Sequence, residues 1–276
     1  MKSLRSIANT LSIGVNFLMT ESTKQDWDTL WEKEEHQTPL THNHKLMSVL
    51  CSLGDIQNKV ILEVGAGTGR DSVYLASLGA LVYALDYSYQ SLKLIKTSYP
   101  DRCGIPLPVA GNAFGLPFPS DSVDIIFHQG LLEHYRNPEI LLQEQRRVLK
   151  SGGYVIIDVP QKYTLYSLRK HIAMWRGRWF AGWETEYSPA ELEKLVADCG
   201  FELRLTYGWG MALSYGWTMQ KLVTRLKTIV RTLLKPPSHL TSLITSNQDS
   251  SSKLEQLAGR AYLHLVDSVG VVAQKA

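Results

Sequence analysis

Between about residue 60 and residue 160, short apolar runs alternate with segments in which apolar residues recur at helical spacing. A run such as 60–64, which ends at glycines, is typical of a buried strand, whereas 71–78 is typical of a helix. The same rhythm predicts strands at 81–85, 107–110, 123–127 and 154–159 and helices at 89–97 and 139–149. Strands that alternate with helices of this length imply right-handed crossovers and a parallel sheet.

Further elements are predicted on either side of this stretch. Two helices precede it, at 26–33 and 43–53. After residue 160, a helix opened by a Ser-Pro pair runs over 188–199, and strands follow at 201–205 and 269–273. The pattern therefore predicts an α/β fold with a seven-stranded, mostly parallel sheet and two irregular stretches after the fifth and sixth strands.

The first strand leads into a glycine-rich turn, in which residues 65–69 read Gly-Ala-Gly-Thr-Gly. Because they lack side chains, Gly65, Gly67 and Gly69 let the backbone approach a ligand, which then faces the N-terminus of the next helix. The GxGxG spacing differs from the GxGxxG of dinucleotide-binding proteins. On this turn alone, an NAD-binding protein stays open as an alternative.

An acidic residue, Asp86, ends the second strand, at about the distance from the glycines where a ribose-binding acid stands in nucleotide-binding folds. Its carboxylate can accept hydrogen bonds from both ribose hydroxyls. The alternative is that Asp86 caps the following helix, but Ser88 can fill that role. We therefore expect Asp86 to bind a ribose.

Taken together, the motifs resemble those of class I S-adenosylmethionine-dependent methyltransferases, in particular the group that acts on small molecules. The resemblance covers roughly residues 27–201 and rests on the joint order of seven segments. These are LEVGAGTGR at 62–70, LDYS at 85–88, GNA at 111–113, LPFP at 116–119, SVD at 122–124, HYRNP at 134–138 and RVLKSGG at 147–153. The resemblance implies a Rossmann-like fold with helices on both faces of the sheet, and S-adenosylmethionine as the cofactor.

The resemblance also implies which residues hold this cofactor. They are Glu63, Gly65, Ala66, Gly67, Gly69, Asp86, Tyr87, Asn112, Ala113, His128 and Gln129. Glu63 would hold the methionine amino group, Asn112 and Ala113 would meet the adenine edge beside Tyr87, and His128 and Gln129 would line the methionine end. Asn112 departs from the family, which usually has aspartate there. Its amide oxygen can still accept a hydrogen bond from adenine, so we expect a weakened contact.

Methyl transfer displaces a leaving group that is already activated, so alignment of the acceptor and exclusion of water can supply most of the acceleration. A general base is therefore optional. His134 is the first candidate because neutral imidazole accepts a proton near pH 7, and His128 and Glu133 follow. The alternative for His134 is a hydrogen-bonded residue that shapes the loop after the fourth strand. No carboxylate cluster implies a metal.

Two stretches without acidic residues lie between 158 and 184 and between 202 and 249. The first interleaves basic and aromatic residues, and in the second, 221–235 is predicted to be an amphipathic helix with a wholly basic polar arc. Both should cap the sheet edge at which α/β folds bind ligands. This predicts a small or lipid-like, hydrophobic acceptor. Peripheral contact with an anionic membrane and a solvated helix face stay open as interpretations of the basic arc.

Nucleic acid is not the expected partner. The fourth strand ends in His-Gln-Gly-Leu at 128–131 instead of the Asn/Asp-Pro-Pro-aromatic motif of amino-methylating nucleic-acid enzymes, and the net charge is only +3. The basic stretches nevertheless leave an RNA or protein methyltransferase as an alternative. An NAD-dependent oxidoreductase or a non-catalytic nucleotide-binding protein is the alternative from a different class.

The predicted organisation is an N-terminal arm at 1–23, a methyltransferase core at 24–207 and 268–276 with the insertion 161–187, and a helical cap at 208–267. Cys51, Cys103 and Cys199 form no CxxC pair, which favours reduced thiols in a cytoplasmic protein. Polar residues interrupt the first twenty positions, so we expect no membrane span there. Association with a membrane surface stays open, and the pattern predicts no oligomeric state.

Overall fold

The computed structural model describes residues 21–33, 42–98, 104–176, 178–179, 181–210, 263–264 and 266–276. Its helices are α1 (Lys24–Trp31), α2 (His44–Ser52), α3 (Arg70–Ser77), α4 (Tyr89–Ser98), α5 (Pro138–Val148), α6 (Leu165–Trp175) and α7 (Pro189–Asp198). Its strands are β1 (Val60–Val64), β2 (Leu81–Asp86), β3 (Leu107–Ala110), β4 (Val123–Gln129), β5 (Leu149–Pro160), β6 (Phe201–Trp209) and β7 (Ser268–Lys275). A 3-10 turn, Leu132–His134, follows β4. In this part of the chain, no helix is long and apolar enough to cross a membrane.

The seven strands form one sheet in the order β3-β2-β1-β4-β5-β7-β6. The first five strands pair in parallel, and β7 inserts antiparallel between β5 and β6. The chain moves from β1 outward to β2 and β3 and then crosses back to β4, on the other side of β1, so the strand order reverses at β1. This reversal opens a crevice at the carboxyl ends of β1 and β4, which is where open α/β sheets bind ligands.

Helices pack on both faces of this sheet because successive side chains of a buried strand point in opposite directions. On one face, Leu62 and Ile126 pack with Leu141 of α5 and Leu192 of α7. On the other face, the neighbouring strand residues, such as Phe127, pack with α2 and α3. The predicted mostly parallel, Rossmann-like α/β sheet is confirmed.

The differences from the predicted elements lie at their ends. Strand β5 begins at Leu149 rather than 154, because Leu149 pairs with Val123 before the chain bulges through residues 150–153 and rejoins the ladder at Tyr154. The predicted turn at Gly152, where φ is 76°, is this bulge. Strand β6 continues to Trp209, four residues beyond the prediction, because β7 pairs with it along that whole length.

Only part of the predicted cap falls within the described residues. The insertion after β5 contains α6, which begins at the N-cap Thr164. Residues 211–262, with the predicted basic helix 221–235, lie outside the described residues, as do residues 1–20 and Cys103. The helical cap over 208–267 and the domain boundaries drawn from it therefore stay predictions.

Candidate functional site

The glycine-rich turn leaves β1 in a left-handed backbone conformation. Gly65, Gly67 and Gly69 have φ angles of 70°, 53° and 70°, a region that strains residues with a Cβ. The amides of Gly65 and Ala66 donate to the carbonyl of Leu85 on β2, at 2.8 and 3.0 Å. These bonds place the turn against the carboxyl end of β2, where Asp86 stands.

Asp86 is the acidic residue that holds this turn. Its Oδ2 accepts a hydrogen bond from the Gly67 amide at 2.9 Å, and its Oδ1 accepts one from the Ser88 amide at 2.8 Å. The side chain is buried, and burial raises its pKa although both amides oppose the shift. The alternative interpretation, that Asp86 caps the following helix, is not favoured, because the Ser88 hydroxyl accepts a hydrogen bond from the Ser91 amide at 3.3 Å and so fills that role. Each carboxylate oxygen still has a second lone pair, so the same side chain can accept from ribose hydroxyls.

A cavity of about 450 Å³ opens at this edge of the sheet. Ten of the predicted site residues line it: Glu63, Gly65, Ala66, Gly67, Asp86, Tyr87, Asn112, Ala113, Gln129 and His134. Its volume falls in the range of small-molecule and cofactor sites. Residues that are scattered over 72 positions of the sequence, from Glu63 to His134, thus share one cavity.

Helix α1 closes the cavity from above. Trp31 and Trp27 line it, and a Cβ on Gly67 would lie 3.0 Å from the Trp31 ring. The Ser88 hydroxyl donates to Asp28 Oδ1 at 2.6 Å, which ties α1 to the loop after β2. The helix begins with a capping box formed by Thr23 and Asp26, so its start is fixed. The Trp31 ring therefore covers the glycine turn at Gly67, which has no side chain to fill this space.

Glu63 lies at the opposite end of the glycine turn from Asp86. Its Oε2 accepts hydrogen bonds from the Ser72 amide and hydroxyl, at 3.2 and 2.5 Å. Burial and the neighbouring carboxylate of Asp71 raise its pKa well above the ordinary value. Two acidic side chains beside one cavity favour a cationic ligand group, because such a group relieves both the burial cost and the repulsion.

Two amide side chains that line the cavity have partners inside the protein. Gln129 Oε1 accepts a hydrogen bond from Arg70 Nη2 at 3.2 Å. Asn112 Oδ1 accepts one from the Phe114 amide at 3.0 Å. This bond fixes the Asn112 side chain at the cavity wall, and the oxygen has one lone pair left for an adenine amino group.

His134 is the predicted base that reaches the cavity. Its ring packs edge-on against Trp27, with centroids 4.9 Å apart, and its Nδ1 lies 4.0 Å from Glu184 Oε1. Burial and the positive charge of Lys170 lower its pKa to about 4, so the imidazole is neutral at pH 7. Neutral imidazole can accept a proton from an acceptor group.

Glu184 belongs to a buried ionic cluster behind His134. Lys170 Nζ lies 3.0 Å from Glu184 Oε2 and 3.1 Å from Glu186 Oε1, and the Trp179 indole donates to Glu184 Oε1 at 3.0 Å. Burial disfavours the charged form of Lys170, but the two carboxylates outweigh it and raise the Lys170 pKa. Lys170, one of the basic residues in the acid-free stretch between 158 and 184, is therefore buried and paired with two carboxylates.

Three predicted site residues do not line the cavity. Gly69 lies behind it, where an added Cβ would come within 2.6 Å of Ile95 Cγ1 in α4. His128 points to the other face of the sheet, towards Gln145 of α5, because strand side chains alternate and the next residue, Gln129, faces the cavity. Burial lowers its pKa to about 3. This geometry removes His128 from both the cofactor site and the catalytic candidates.

Glu133 also turns away from the cavity. Its side chain is buried, and burial together with the charge of Glu184 raises its pKa to about 8. At neutral pH the group is mainly protonated, so it does not act as a carboxylate base. Its backbone carbonyl accepts from the Thr185 amide at 2.7 Å, which holds the 3-10 turn against the segment that carries Glu184.

Several lining residues were not among those predicted. They are Trp27, Trp31, Thr68, Arg70, Asp71, Leu85, Gly111, Phe114, Gly130, Leu131 and Tyr135. Thr68, Arg70 and Asp71 are neighbours of the glycine motif and could have been found from it. The two tryptophans could not, since the sequence gives only their helical spacing and not the contact of α1 with the turn.

The residues of the cavity fit the cofactor that the motifs imply. Asp86 offers lone pairs at one end, Glu63 and Asp71 favour a cation at the other, and Tyr87 and Phe114 supply aromatic surface beside Asn112. These three regions match the ribose hydroxyls, the cationic amino acid end and the adenine of S-adenosylmethionine.

Comparison with known proteins agrees with this geometry. Residues 62–157 match the methyltransferase domain family. A "probable S-adenosylmethionine-dependent methyltransferase" of Mycolicibacterium smegmatis is 30% identical over 149 residues, which cover 54% of this chain and 54% of that protein. The demethylmenaquinone methyltransferase of Renibacterium salmoninarum is 36% identical over 109 residues, which cover 40% of this chain and 44% of that protein. The chain thus spans about half the length of these relatives.

Among solved structures, the magnesium protoporphyrin IX methyltransferase of Synechocystis, with bound S-adenosylhomocysteine, matches the fold. It has a TM-score of 0.52 at 14% identity, with 84% of this chain and 80% of that chain covered. Residues 62–157 therefore match a methyltransferase domain, and the resemblance of the motifs to class I S-adenosylmethionine-dependent methyltransferases is confirmed. The cofactor of this chain is S-adenosylmethionine.

Proposed function

We propose that this protein transfers a methyl group from S-adenosylmethionine to a small or lipid-like, hydrophobic acceptor. The observation that carries the proposal is the composition of this cavity. Its wall combines the glycine turn and Asp86 with His134 and the aromatic rings of Trp27 and Tyr135. The turn and Asp86 suit a polar cofactor, and the aromatic rings suit an apolar acceptor.

The residues proposed to hold the cofactor are the polar residues of the cavity wall and the glycine turn. Asp86 binds the ribose, Glu63 binds the methionine amino group, and Asn112 meets the adenine edge beside Tyr87. The turn at Gly65 and Gly67 lets the backbone lie against the cofactor. When bound, S-adenosylmethionine supplies a methyl group on an activated sulfonium. The protein then contributes alignment and the exclusion of water, which α1 serves by covering the cavity.

The acceptor side is proposed to bind an apolar ring. The Trp27 ring packs edge-on against His134, with centroids 4.9 Å apart, and Leu131 and Tyr135 line the same cavity. Such walls stack on an aromatic ring and offer little to a strongly hydrated substrate. The relative from Renibacterium salmoninarum is named a demethylmenaquinone methyltransferase, and this name supports the proposal of a hydroquinone-like acceptor.

His134 is proposed to take the proton that the acceptor releases. Its imidazole is neutral at pH 7 and lines the cavity, while Glu184 behind it can orient the ring through Nδ1. The distance of 4.0 Å is longer than a hydrogen bond, and catalytic contacts of this kind often tighten only when the substrate binds. Glu184 would be a positioning residue, because it touches His134 and not the acceptor.

The proposal is tested by following an isotope-labelled methyl group from S-adenosylmethionine in the full chain. A short-chain demethylmenaquinol kept in its reduced form serves as the apolar probe, and total tRNA serves as the polymer probe. We expect label on the hydroquinone and none on tRNA, with a lower rate in His134→Gln. Label on tRNA alone would contradict the acceptor class, while binding of S-adenosylhomocysteine would still report the cofactor site separately.

A further inference from the structure

Helix α6 presents an apolar stripe to solvent. Trp175 is 76% exposed and Leu168 is 55% exposed, and Ile172 between them is exposed as well. Their spacing of i, i+4 and i+7 puts all three on one helical face. Tyr163, just before the helix, is also exposed. Within the described residues, no other helix exposes three large apolar side chains, so this cluster differs from scattered surface residues.

The opposite face of α6 is anchored in the protein. Ser167, Lys170 and Met174 are buried there, and Lys170 forms its ion pairs with Glu184 and Glu186. This anchoring determines which face looks outward. The apolar stripe is thus held on the surface by a buried ionic cluster.

Basic residues flank the stripe on one side. Arg169 and Arg176 are seven residues apart, so they share an arc next to Leu168 and Trp175, and both are exposed. Arg178 follows and is exposed too. No acidic residue occurs between 158 and 184. An apolar stripe with an arginine flank is the pattern of helices that lie in the interface of an anionic membrane.

We propose that α6 docks this protein on an anionic lipid surface, with Leu168, Ile172 and Trp175 in the apolar layer and Arg169 and Arg176 at the headgroups. Charge complementarity selects this occupant. A second copy of the chain joined through the same face would bring the arginine flanks of both copies together without an acidic partner on α6. Guanidinium groups match lipid phosphates, which they can bind with two parallel hydrogen bonds.

The position of α6 relates this surface to the cavity. Glu184 contacts Lys170 on the inner face of α6 and lies 4.0 Å from His134, which lines the acceptor side. A protein docked through α6 would therefore hold its acceptor side near the lipid. This last step rests on the proposed apolar acceptor, whereas the docking surface itself does not.

The test is sedimentation of the full chain with vesicles of phosphatidylcholine alone and with about one third phosphatidylserine. We expect binding to the anionic vesicles, weakening with salt, and little binding to the neutral ones. The variant Leu168→Ser/Ile172→Ser/Trp175→Ser should bind at least about tenfold more weakly. Arg169→Gln/Arg176→Gln should also lose about tenfold, on the anionic vesicles only.

Ile105→Ser/Leu107→Ser is the matched control, because Ile105 is as exposed as Leu168, at 55%, but lies just before β3, the strand at the edge of the sheet opposite β6. It should bind as the unaltered chain does, and thermal unfolding should show every variant folded. Equal binding by the triple variant, or equal binding to both vesicle types, would overturn the proposal. So would a change from dimer to monomer in the triple variant without any change in vesicle binding, since the face would then join copies of the chain.

Discussion

His134 Nδ1 faces Glu184 Oε1 across 4.0 Å, and Glu184 is held in turn by Lys170 at 3.0 Å. Of the three predicted bases, His134 is the one that lines the cavity, and it lies beside the Glu184 carboxylate. The buried Lys170 fixes the position of Glu184. Glu184 is separated from His134 by fifty residues in the sequence and comes from the segment after α6. This relationship connects the insertion after β5 to the reacting end of the cavity.

Replacing His134 should separate catalysis from cofactor binding. We expect His134→Gln to lower the rate of methyl transfer to a hydroquinone acceptor by about 10²–10⁴, the usual contribution of a general base. The affinity for S-adenosylhomocysteine should stay unchanged. Single-turnover rates and calorimetry on the same preparation measure the two effects. An unchanged rate would mean that His134 only shapes the loop after β4.

The Glu63 carboxylate should make cofactor affinity depend on pH. Burial and Asp71 raise the pKa of Glu63, and a methionine ammonium group pairs only with the ionised form. Affinity for S-adenosylhomocysteine should therefore fall as pH decreases through this raised pKa, by up to about tenfold per pH unit. Calorimetry between pH 5 and pH 8 measures it. Glu63→Gln should bind more weakly at high pH and show a flat profile; the same slope in this variant would assign the effect to another group.

Glu133 should make stability decrease with rising pH. Its folded pKa of about 8 exceeds the ordinary 4.5, so the folded chain keeps a proton that the unfolded chain releases. The stabilisation is complete below pH 4.5 and is lost as pH rises through about 8. The slope for one proton is about 1.4 kcal/mol per pH unit.

The variant Glu133→Gln removes this contribution and keeps the shape of the side chain. Its free energy of unfolding relative to the unaltered chain should increase between pH 5 and pH 8. Denaturant titrations at several pH values measure the difference. Asp158, whose pKa burial raises to about 7, titrates in both chains, so only its interaction with the Glu133 carboxylate enters the difference. Parallel pH curves for the two chains would show that Glu133 is not protonated in the folded state.

Two glycines of the same motif should respond differently to alanine. At Gly69, a Cβ would lie 2.6 Å from Ile95 Cγ1 at a φ of 70°, so Gly69→Ala should lower stability by about 1–3 kcal/mol. The folded fraction should keep its affinity for S-adenosylhomocysteine, because Gly69 does not line the cavity. Gly67→Ala should instead lower this affinity, since its Cβ would meet Trp31 at 3.0 Å. Thermal melts measure the stability of both variants, and calorimetry measures their affinity. If Gly69→Ala lost affinity and Gly67→Ala kept it, the placement of Gly69 behind the cavity would be contradicted.

The sheet could be predicted because its information is local. Apolar runs such as Val60–Val64 and the glycines after them mark strand ends, and the order of elements then leaves few topologies. The ends of β5 and β6 were predicted too short, since pairing with distant strands extends them. The residues around Gly152 are not apolar, so the sequence pattern predicts a turn where the structure has a bulge.

The residues that line the cavity could be predicted where they belong to a motif and not where they depend on tertiary contact. Asp86 and Glu63 are strand ends whose direction the sheet determines. His128 was predicted to line the cavity, but successive strand residues point to opposite faces of the sheet and its side chain lies on the face of Gln145. Matching a motif does not determine which face a residue takes. Trp31 and Glu184 reach the cavity region through packing between segments far apart in the chain. Nothing in their local sequence indicates that contact.

The central claim, that the glycine turn and Asp86 hold S-adenosylmethionine, is tested most directly by calorimetry of the full chain with S-adenosylhomocysteine and with NAD. Asp86→Ala removes the bond to the Gly67 amide together with the proposed ribose contact, so it should weaken the binding of S-adenosylhomocysteine by at least about tenfold. We predict that the unaltered chain binds S-adenosylhomocysteine and gives no heat with NAD. Binding of NAD without any response to S-adenosylhomocysteine would contradict the account.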